Sequence, residues 1–563
     1  MAKTRIEWNA WGPAAFEEAR ASRKPVFLLL TAFWCEDGDQ PSASICGESP
    51  AGALIRENFV PVLADADQNP EVALRYGLRS YPACAVLGAD GALMGVFSLG
   101  ELHDRREALA GLAAALSQTL APAASLGLYR VPYIPRGDVN LERGLEAVER
   151  IRRIVEEALD RGMPDPRTFS GLHAISPLRF LLHFANNTGE RTVLQRAVSG
   201  LHALCHSSLY DAVEGGFFVG DAPDGSQSYK LLRANADWLI LALRVSREPE
   251  GAFALPLARG ILHYLQHRLC TLDGAFAAGQ RADGAYFRLT SEERRRVSSP
   301  AVEESVYAAP NALAVRAFCK GWRLLGERAY LDLALRTHGF IQSHLMAPDG
   351  TLAHVHVGAP AGLGYLDDVI ELGHAQMALY HATLETRHLE GLRQTVRRLV
   401  SEHLNPAGGG FLDTRLEDRP SRMPFSPVVD FHLNARAAGF LVLAAAQLGD
   451  ESLGVMARSV LSLLLAAGET DLEGACLLGS ALLAALYPIA IFEAVTDGSP
   501  GQRLQVLDRL REGGAGNSLV THRLAARGEE MQRLPRIVAH CGHQRNELPV
   551  GVGGPVGGGG EGG

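Results

Sequence analysis

Pro25-Val26-Phe27-Leu28-Leu29-Leu30, followed by Thr31-Ala32-Phe33-Trp34-Cys35-Glu36-Asp37-Gly38, decides how the chain opens. The first six residues form a short apolar run, which reads as a buried strand. A cysteine that leaves a strand and opens a helix can have its thiolate stabilised by the helix N-terminus. Working outward, Pro50–Asn58 has a helical pattern and Phe59–Ala64 reads as a second strand. Glu71–Tyr76 predicts a short helix, and Ala83–Leu87 and Leu93–Phe97 predict two more strands around the turn Ala89-Asp90-Gly91. A closing helix is expected over Asp104–Leu116. The first two strands flank a helix as in a βαβ unit, and the last two form a hairpin.

The chain has 563 residues, which at roughly 100–200 residues per domain means about three to five domains or fewer large ones. Apolar residues at 47% supply a core, and charged residues at 21% exclude a disordered body. The net charge of -9 argues against a general binder of nucleic acid or anionic membrane. The eight cysteines are scattered without a CxxC pair, so no disulfide framework is expected. No apolar stretch follows Met1–Glu7, which predicts a cytoplasmic protein. Gly474–Phe492 carries no charge, but Pro488 breaks it, so it reads as a buried helix running into a strand and not as a membrane span.

Residues 1–118 therefore form an α/β domain, and the Pro-bearing residues 119–137 a linker. Residues 138–487 read differently: amphipathic helical windows follow one another and strand signals almost vanish. Between them a glycine turn recurs as Gly215-Gly216-Phe217, Asp273-Gly274-Ala275-Phe276, Asp349-Gly350-Thr351-Leu352 and Gly409-Gly410-Phe411. That spacing suits helical hairpins repeated into a toroid or an open solenoid. Residues 488–550 return to a small α/β segment, and the Gly-rich tail 551–563 is expected to be disordered.

Several ionisable groups are candidates for chemistry. Asp367 and Asp368 open a predicted helix, where capping competes with catalysis. Glu303 and Glu304 precede another helix, where a solvated face competes. Asp430 and Asn434 lie four apart on one helical face, although capping explains Asp430 as well. His354-Val355-His356 and His540-Cys541-Gly542-His543 lack the further ligands a metal needs, so no metal and no cofactor is expected.

The WC motif, with Ser80-Tyr81-Pro82 ahead of the third strand, resembles the thioredoxin fold, in which such a motif faces a cis-proline loop. Gly38 stands where the resolving cysteine would be, so two-cysteine cycling there is impossible. Cys84, two residues after Pro82, is a conceivable neighbour of Cys35. Further on, Gly215-Gly216-Phe217-Phe218 with Tyr229–Ala236, Asp283–Thr290, Pro310–Leu313, Gly364–Asp368, Asp430–Asn434 and Glu547–Val550 follow in one collinear order. Together they resemble the spermatogenesis-associated protein 20 family, over roughly residues 5–550. The resemblance implies a multidomain chain: an N-terminal α/β thioredoxin-like fold, a central all-α (α/α)6 six-hairpin toroid, and a small C-terminal α/β segment. It implies ligand-binding roles for Lys230, Asn235, Asn311, Asp430 and Asn434, and a cis-proline loop at Tyr81 and Pro82. Gln227, Tyr229 and Ala234 stand where the family's longer motif carries a His, a Glu and an Asp.

Toroids of this kind hold ligand at their axis, and their catalysis depends on paired acids or histidines across the cavity. The first expectation is a protein binding a sugar-like or other small molecule without dithiol redox activity. A protein partner at the thioredoxin-like domain, and neither nucleic acid nor membrane, accompanies that reading. A carbohydrate hydrolase or epimerase drawing its acid and base from Asp367, Asp368, Asp430 and the Glu303/Glu304 pair, or a monothiol oxidoreductase or redox sensor using Cys35, are the alternatives.

Overall fold

The computed structural model describes residues 6–34, 50–78, 81–98, 140–162, 171–219, 229–281, 283–415, 427–468, 471–512, 519–524, 534–541 and 544–548. Cys35, Glu36–Gly38, Cys46, the helix expected over 104–116, the linker 119–137, Gln227 and the tail 551–563 lie outside the described residues.

The N-terminal segment contains β1 (Asn9–Ala10), α1 (Pro13–Ser22), β2 (Val26–Thr31), α2 (Pro50–Asn58), β3 (Val60–Asp65), α3 (Pro70–Tyr76), β4 (Ala83–Leu87) and β5 (Leu93–Ser98). The sheet order is β1-β3-β2-β4-β5. β2 and β3 are parallel around α2, whereas β4 pairs antiparallel with both β2 and β5. Every residue of β2 is buried, as its unbroken apolar run requires. The Tyr81–Pro82 peptide bond is cis. β1 escapes the sequence reading because two residues carry no periodicity.

The helical body comprises α4 (Leu141–Gly162), α5 (Gly171–Thr188), α6 (Arg191–Cys205), α7 (Leu232–Val245), α8 (Ala254–Tyr264), two short helices α9 (Gly284–Phe287) and α10 (Ser291–Arg294), α11 (Ala308–Leu325), α12 (Arg328–Phe340), α13 (Leu366–Thr383), α14 (Thr386–Arg398), α15 (Phe431–Leu448), α16 (Glu451–Ala467) and α17 (Leu472–Leu486). Six of them close a ring: α5 packs on α7, α7 on α11, α11 on α13, α13 on α15, α15 on α17, and α17 back on α5. α6, α8, α12, α14 and α16 each pack outside the ring helix that precedes them, and α4 lies over α17 and α5. This is an (α/α)6 toroid, closed and not an open solenoid. The inner helices are sandwiched between neighbours and an outer layer, so they are apolar on most of their circumference. Their close approach excludes side chains at some points. A Cβ on Gly479 of α17 would stand 2.5 Å from the Phe180 ring on α5.

The recurrent glycine turn is a structural repeat. Gly216, Gly274, Gly350 and Gly410 all have positive φ, between 80° and 89°, which a side chain would strain. Each turn folds into a one-bridge hairpin: Tyr210 with Phe217, Cys270 with Phe276, Met346 with Leu352, and Leu404 with Phe411.

Both ends of the toroid are covered. At the N-terminal ends of the inner helices, short strands form a rim: β6 (Lys230–Leu231), β7 (Gly279–Gln280), β8 (Val302–Glu303), β9 (Val306–Tyr307), β10 (Ala353–His356) and β11 (Pro360–Leu363). Phe33 and Trp34 of the thioredoxin-like segment pack there against Ala278, Tyr307 and Val355. At the opposite end lie β12 (Ile491–Thr496), α18 (Pro500–Glu512), β13 (Leu519–Leu524), β14 (Arg536–Cys541) and β15 (Gln544–Leu548), in a sheet ordered β13-β12-β14-β15. Leu384, at the end of α13, is buried among Ala494, Val506, Leu510, Val520 and Ile537 of this segment. The expected helix-to-strand break at Pro488 falls between α17 and β12. No helix among the described residues is long and apolar enough to cross a membrane.

Candidate functional site

The asparagines implied as ligand contacts are clamps. Asn235 Oδ1 accepts from Phe217 N at 2.6 Å, and its Nδ2 donates to the carbonyls of Phe217 and Leu231. Asn311 does the same with Phe276 and Tyr307, and Asn434 with Phe411 and Asp430. Each asparagine is the fourth residue of an inner helix and locks a glycine turn to it. All three are fully buried, and their amides are committed to backbone groups that burial would otherwise leave unsatisfied. This corrects their assignment to ligand binding.

Lys230 and Asp430 are also structural. Fully buried Lys230 Nζ pairs with Asp211, donates to the Gly215 carbonyl, and lies 4.7–4.9 Å from the ring centres of Phe218, Tyr264 and Phe287. Burial drives its pKa down to about 8 although Asp211 opposes the shift. Arg294 adds a second cation on Asp211 at 2.8 Å. Asp430 caps α15, accepting from Leu433 N.

Asp367 and Asp368 do not cap α13, whose first turn has no side-chain cap. Asp367 points across the ring to Arg233 on α7, 2.7 Å away, and also pairs with Arg436 on α15. Arg436 bonds Glu371 as well, and Arg316 on α11 stands 4.0 Å from the same carboxylate. Arg179 on α5 pairs with Asp237 on α7 at 2.6 Å. Contributions from five of the six inner helices thus converge on the axis. These groups sit among the inner helices, yet Arg233 keeps 37% of its side chain accessible, Arg316 33% and Asp367 22%. The inner-helix side chains therefore do not fill the axis, and water can reach them. Burial raises the Asp367 pKa, but Arg233 and Arg436 outweigh it and hold the carboxyl well below its usual range. His374 is held neutral by burial and by Arg316, Arg436 and Arg179.

Asp368 faces the rim instead. It accepts from Ala309 N at the start of α11 and lies 2.7 Å from His354 Nδ1. His354 Nε2 lies 2.7 Å from the Asp67 carbonyl oxygen of the thioredoxin-like segment. A carbonyl only accepts, so Nε2 carries a proton, and Asp368 favours a second proton on Nδ1. Burial opposes this charge, but Asp368 raises the His354 pKa to about 9. Beside it, burial and Asp65 push the Asp67 carboxyl up to about 7. Tyr365 donates to Glu71, which also accepts from Trp11, fixing the same junction.

The remaining sequence candidates fall elsewhere. Glu303 pairs with Arg281 and accepts from Ser305, whereas Glu304 is exposed. His356 packs against Phe340 and His344, and no metal-holding cluster occurs among the described residues. Tyr81 stacks edge-on with Trp34, 5.5 Å between centres. Cys84 is buried with Phe27, Leu29 and Phe59, and burial pushes its thiol up to about 12. A separate groove of about 670 Å³ lies between α12 and α14, away from the axis.

Sequence reasoning missed Arg179, Arg233, Asp237, Arg316, Glu371 and Arg436. Their signal was available: polar residues at i and i+4 on otherwise apolar helices, as in Arg233/Asp237, Arg316/Lys320, Asp367/Glu371 and His432/Arg436.

Residues 1–91 match the family described as Thioredox_DsbH, protein of unknown function DUF255. The chain is 34% identical over 70 residues to spermatogenesis-associated protein 20 of Rattus norvegicus, covering 12% of this chain and 8% of that relative. It is 33% identical over 104 residues to an uncharacterized protein of Caenorhabditis elegans, covering 17% and 13%. Among solved structures, an unsaturated glucuronyl hydrolase specific for heparin aligns over 62% of this chain and 97% of its own, at 10% identity and TM-score 0.46. A sugar epimerase from a ruminal bacterium aligns over 52% and 74%, at 16% identity and TM-score 0.41. The matched relatives are therefore spanned only in small part, and the opening segment of this chain is similar to the thioredoxin-like DUF255 family.

Proposed function

We propose that the chain binds a small polar, carbohydrate-like molecule in the axial cavity, under a thioredoxin-like cover that does not cycle a dithiol. The observation that carries this is the Arg233–Asp367–Arg436–Glu371 network, built across three inner helices and still accessible to water. Fixed donors and acceptors facing an enclosed wet space are what recognition of hydroxyl groups needs. Asp367 is a poor proton donor, because two arginines keep it ionised, and Asp368 is committed to His354 and the α11 backbone. Gly38 removes the resolving thiol.

The test is a thermal-shift screen of neutral and acidic sugars on the full chain and on Arg436→Gln. Stabilisation of the parent that the variant loses supports the reading. A screen without hits, or hits indifferent to Arg436, opposes it.

A hydrolase or epimerase is the second reading. It is favoured by Asp67, whose carboxyl is pushed up to about 7 beside the axial rim and is suited to general acid work. Sugar turnover lost in Asp67→Asn would establish it, and a screen without turnover would end it.

A further inference from the structure

Two carboxyls at the junction of the thioredoxin-like segment and the toroid are left half-satisfied. Asp67, just after β3, and Asp413, just after the glycine turn that ends at Phe411, each keep Oδ2 out of reach of solvent and without a hydrogen-bond partner among the described residues. Trp34 donates to the Asp67 carboxyl, and Val428 N donates to Asp413 Oδ1 at 2.7 Å. The Asp67 carbonyl, 2.7 Å from His354 Nε2, holds that residue against the rim. Asp413 belongs to the rim itself: Leu366 N, at the start of α13, donates to its carbonyl at 2.9 Å.

The charges around them give little relief. Beside Asp67 stands Asp65, whose Oδ1 accepts from the backbone N–H groups of Asp67 and Gln68 at 2.8 and 3.0 Å. From the toroid, Asp67 meets His354 of β10 and Arg233 of α7, and Tyr307 of β9 feels Asp65, Asp67 and Glu303 together. Asp413 meets Arg75 and Glu71 of α3 across the junction, with Tyr365 beside it. Two of these cations already answer another carboxylate: His354 pairs with Asp368, and Arg233 with Asp367. Burying an ionised carboxylate oxygen that has no donor is costly, and the neutral acid avoids the charge. Burial, reinforced by Asp65, accordingly pushes the Asp67 carboxyl up to about 7. Burial pushes Asp413 up to about 6, although the Val428 N–H and Arg75 oppose it.

We propose that this junction is a proton-operated latch: protonated Asp67 and Asp413 let the thioredoxin-like segment close on the toroid rim, and their ionisation loosens it over the axis. The latch concerns the cover alone and does not depend on what the axis holds. Each carboxyl gives its proton to solvent as it ionises, so closure takes up as many as two protons. A free aspartate titrates at about 3.9. The closed values lie above it, so closure is firmest below about pH 4 and weakens as pH rises from there through the closed values. His354 acts in a later window, since its contribution is whole below about pH 6.5.

The test is hydrogen exchange of the full chain between about pH 4.5 and about pH 6.5, below the histidine window, with rates corrected for the intrinsic effect of pH. In the parent, protection of residues 60–78 and 351–366 falls roughly tenfold or more as pH rises across that range, while α15 in the toroid wall keeps its protection. The double variant Asp67→Asn with Asp413→Asn, whose amides stay neutral, holds the junction level. Parent protection that stays level across the range overturns the latch without recourse to any variant. A fall shared by α15 is weakening of the whole fold, not opening at the junction, and overturns it as well. A fall as steep in the double variant as in the parent overturns the assignment to these two carboxyls. Sugar binding, found or not found, bears on none of these results.

Discussion

His354 Nε2 lies 2.7 Å from the carbonyl oxygen of Asp67, 287 residues earlier in the chain. This hydrogen bond fastens the thioredoxin-like segment to the toroid rim, and the Asp368 carboxylate on the other ring nitrogen favours the charged, doubly protonated ring. The His354 pKa is raised to about 9 in the fold. Its contribution is therefore complete below the unfolded histidine value of about 6.5 and is lost as pH rises through about 9. Melting temperature measured from neutral to alkaline pH should fall through that window in the parent. His354→Gln should start lower and lose that fall. Parallel profiles would show that His354 does not carry the junction.

Asn311 offers a second prediction. Replacing it with alanine strands the buried N–H and C=O of Phe276, at a cost of about 2–4 kcal/mol for two unsatisfied groups. Hydrogen exchange at the Phe276 amide should accelerate well before the chain melts. Protection equal to the parent would show that the glycine turn holds without its clamp.

Asp367→Asn removes the charge that faces both Arg233 and Arg436. Breaking such a partly buried network should lower stability by roughly 2 kcal/mol, less than for a fully buried pair. Because the parent carboxyl titrates below its usual range, its stabilisation is present above the unfolded value of about 3.9 and disappears only as pH falls through the lower folded value. The gap in melting temperature between parent and variant should therefore hold from neutral pH to about pH 4 and close in stronger acid.

Alkylation of the native protein tests the redox reading. Cys84, Cys319 and Cys476 are buried, and burial raises each thiol. Peptide mass spectrometry should find them unmodified while the chain is folded. Rapid labelling of Cys84 would restore it as a possible partner for Cys35.

Much of this architecture is written locally. The run Val26–Thr31 and the helical windows declare themselves because burial imposes a period that one strand or helix repeats. The glycine turns are visible because positive φ calls for glycine. The roles of Asn235, Asn311 and Asn434 are not visible, because a polar residue on an inner helix reads the same whether it faces a ligand or a neighbouring turn. The Arg233–Asp367 pair spans 134 residues, and only closure of the ring brings its members together. Asp368 reads as a cap from its position, yet its partners come from β10 and α11.

The most direct test of a wet, ligand-binding axis is crystallography at a resolution that shows ordered solvent. Density for water, or for a carried-over small molecule, between Arg233, Arg316, Arg436 and Asp367 is the predicted result. A dry axis, with these side chains packed together and no space among them, would contradict it.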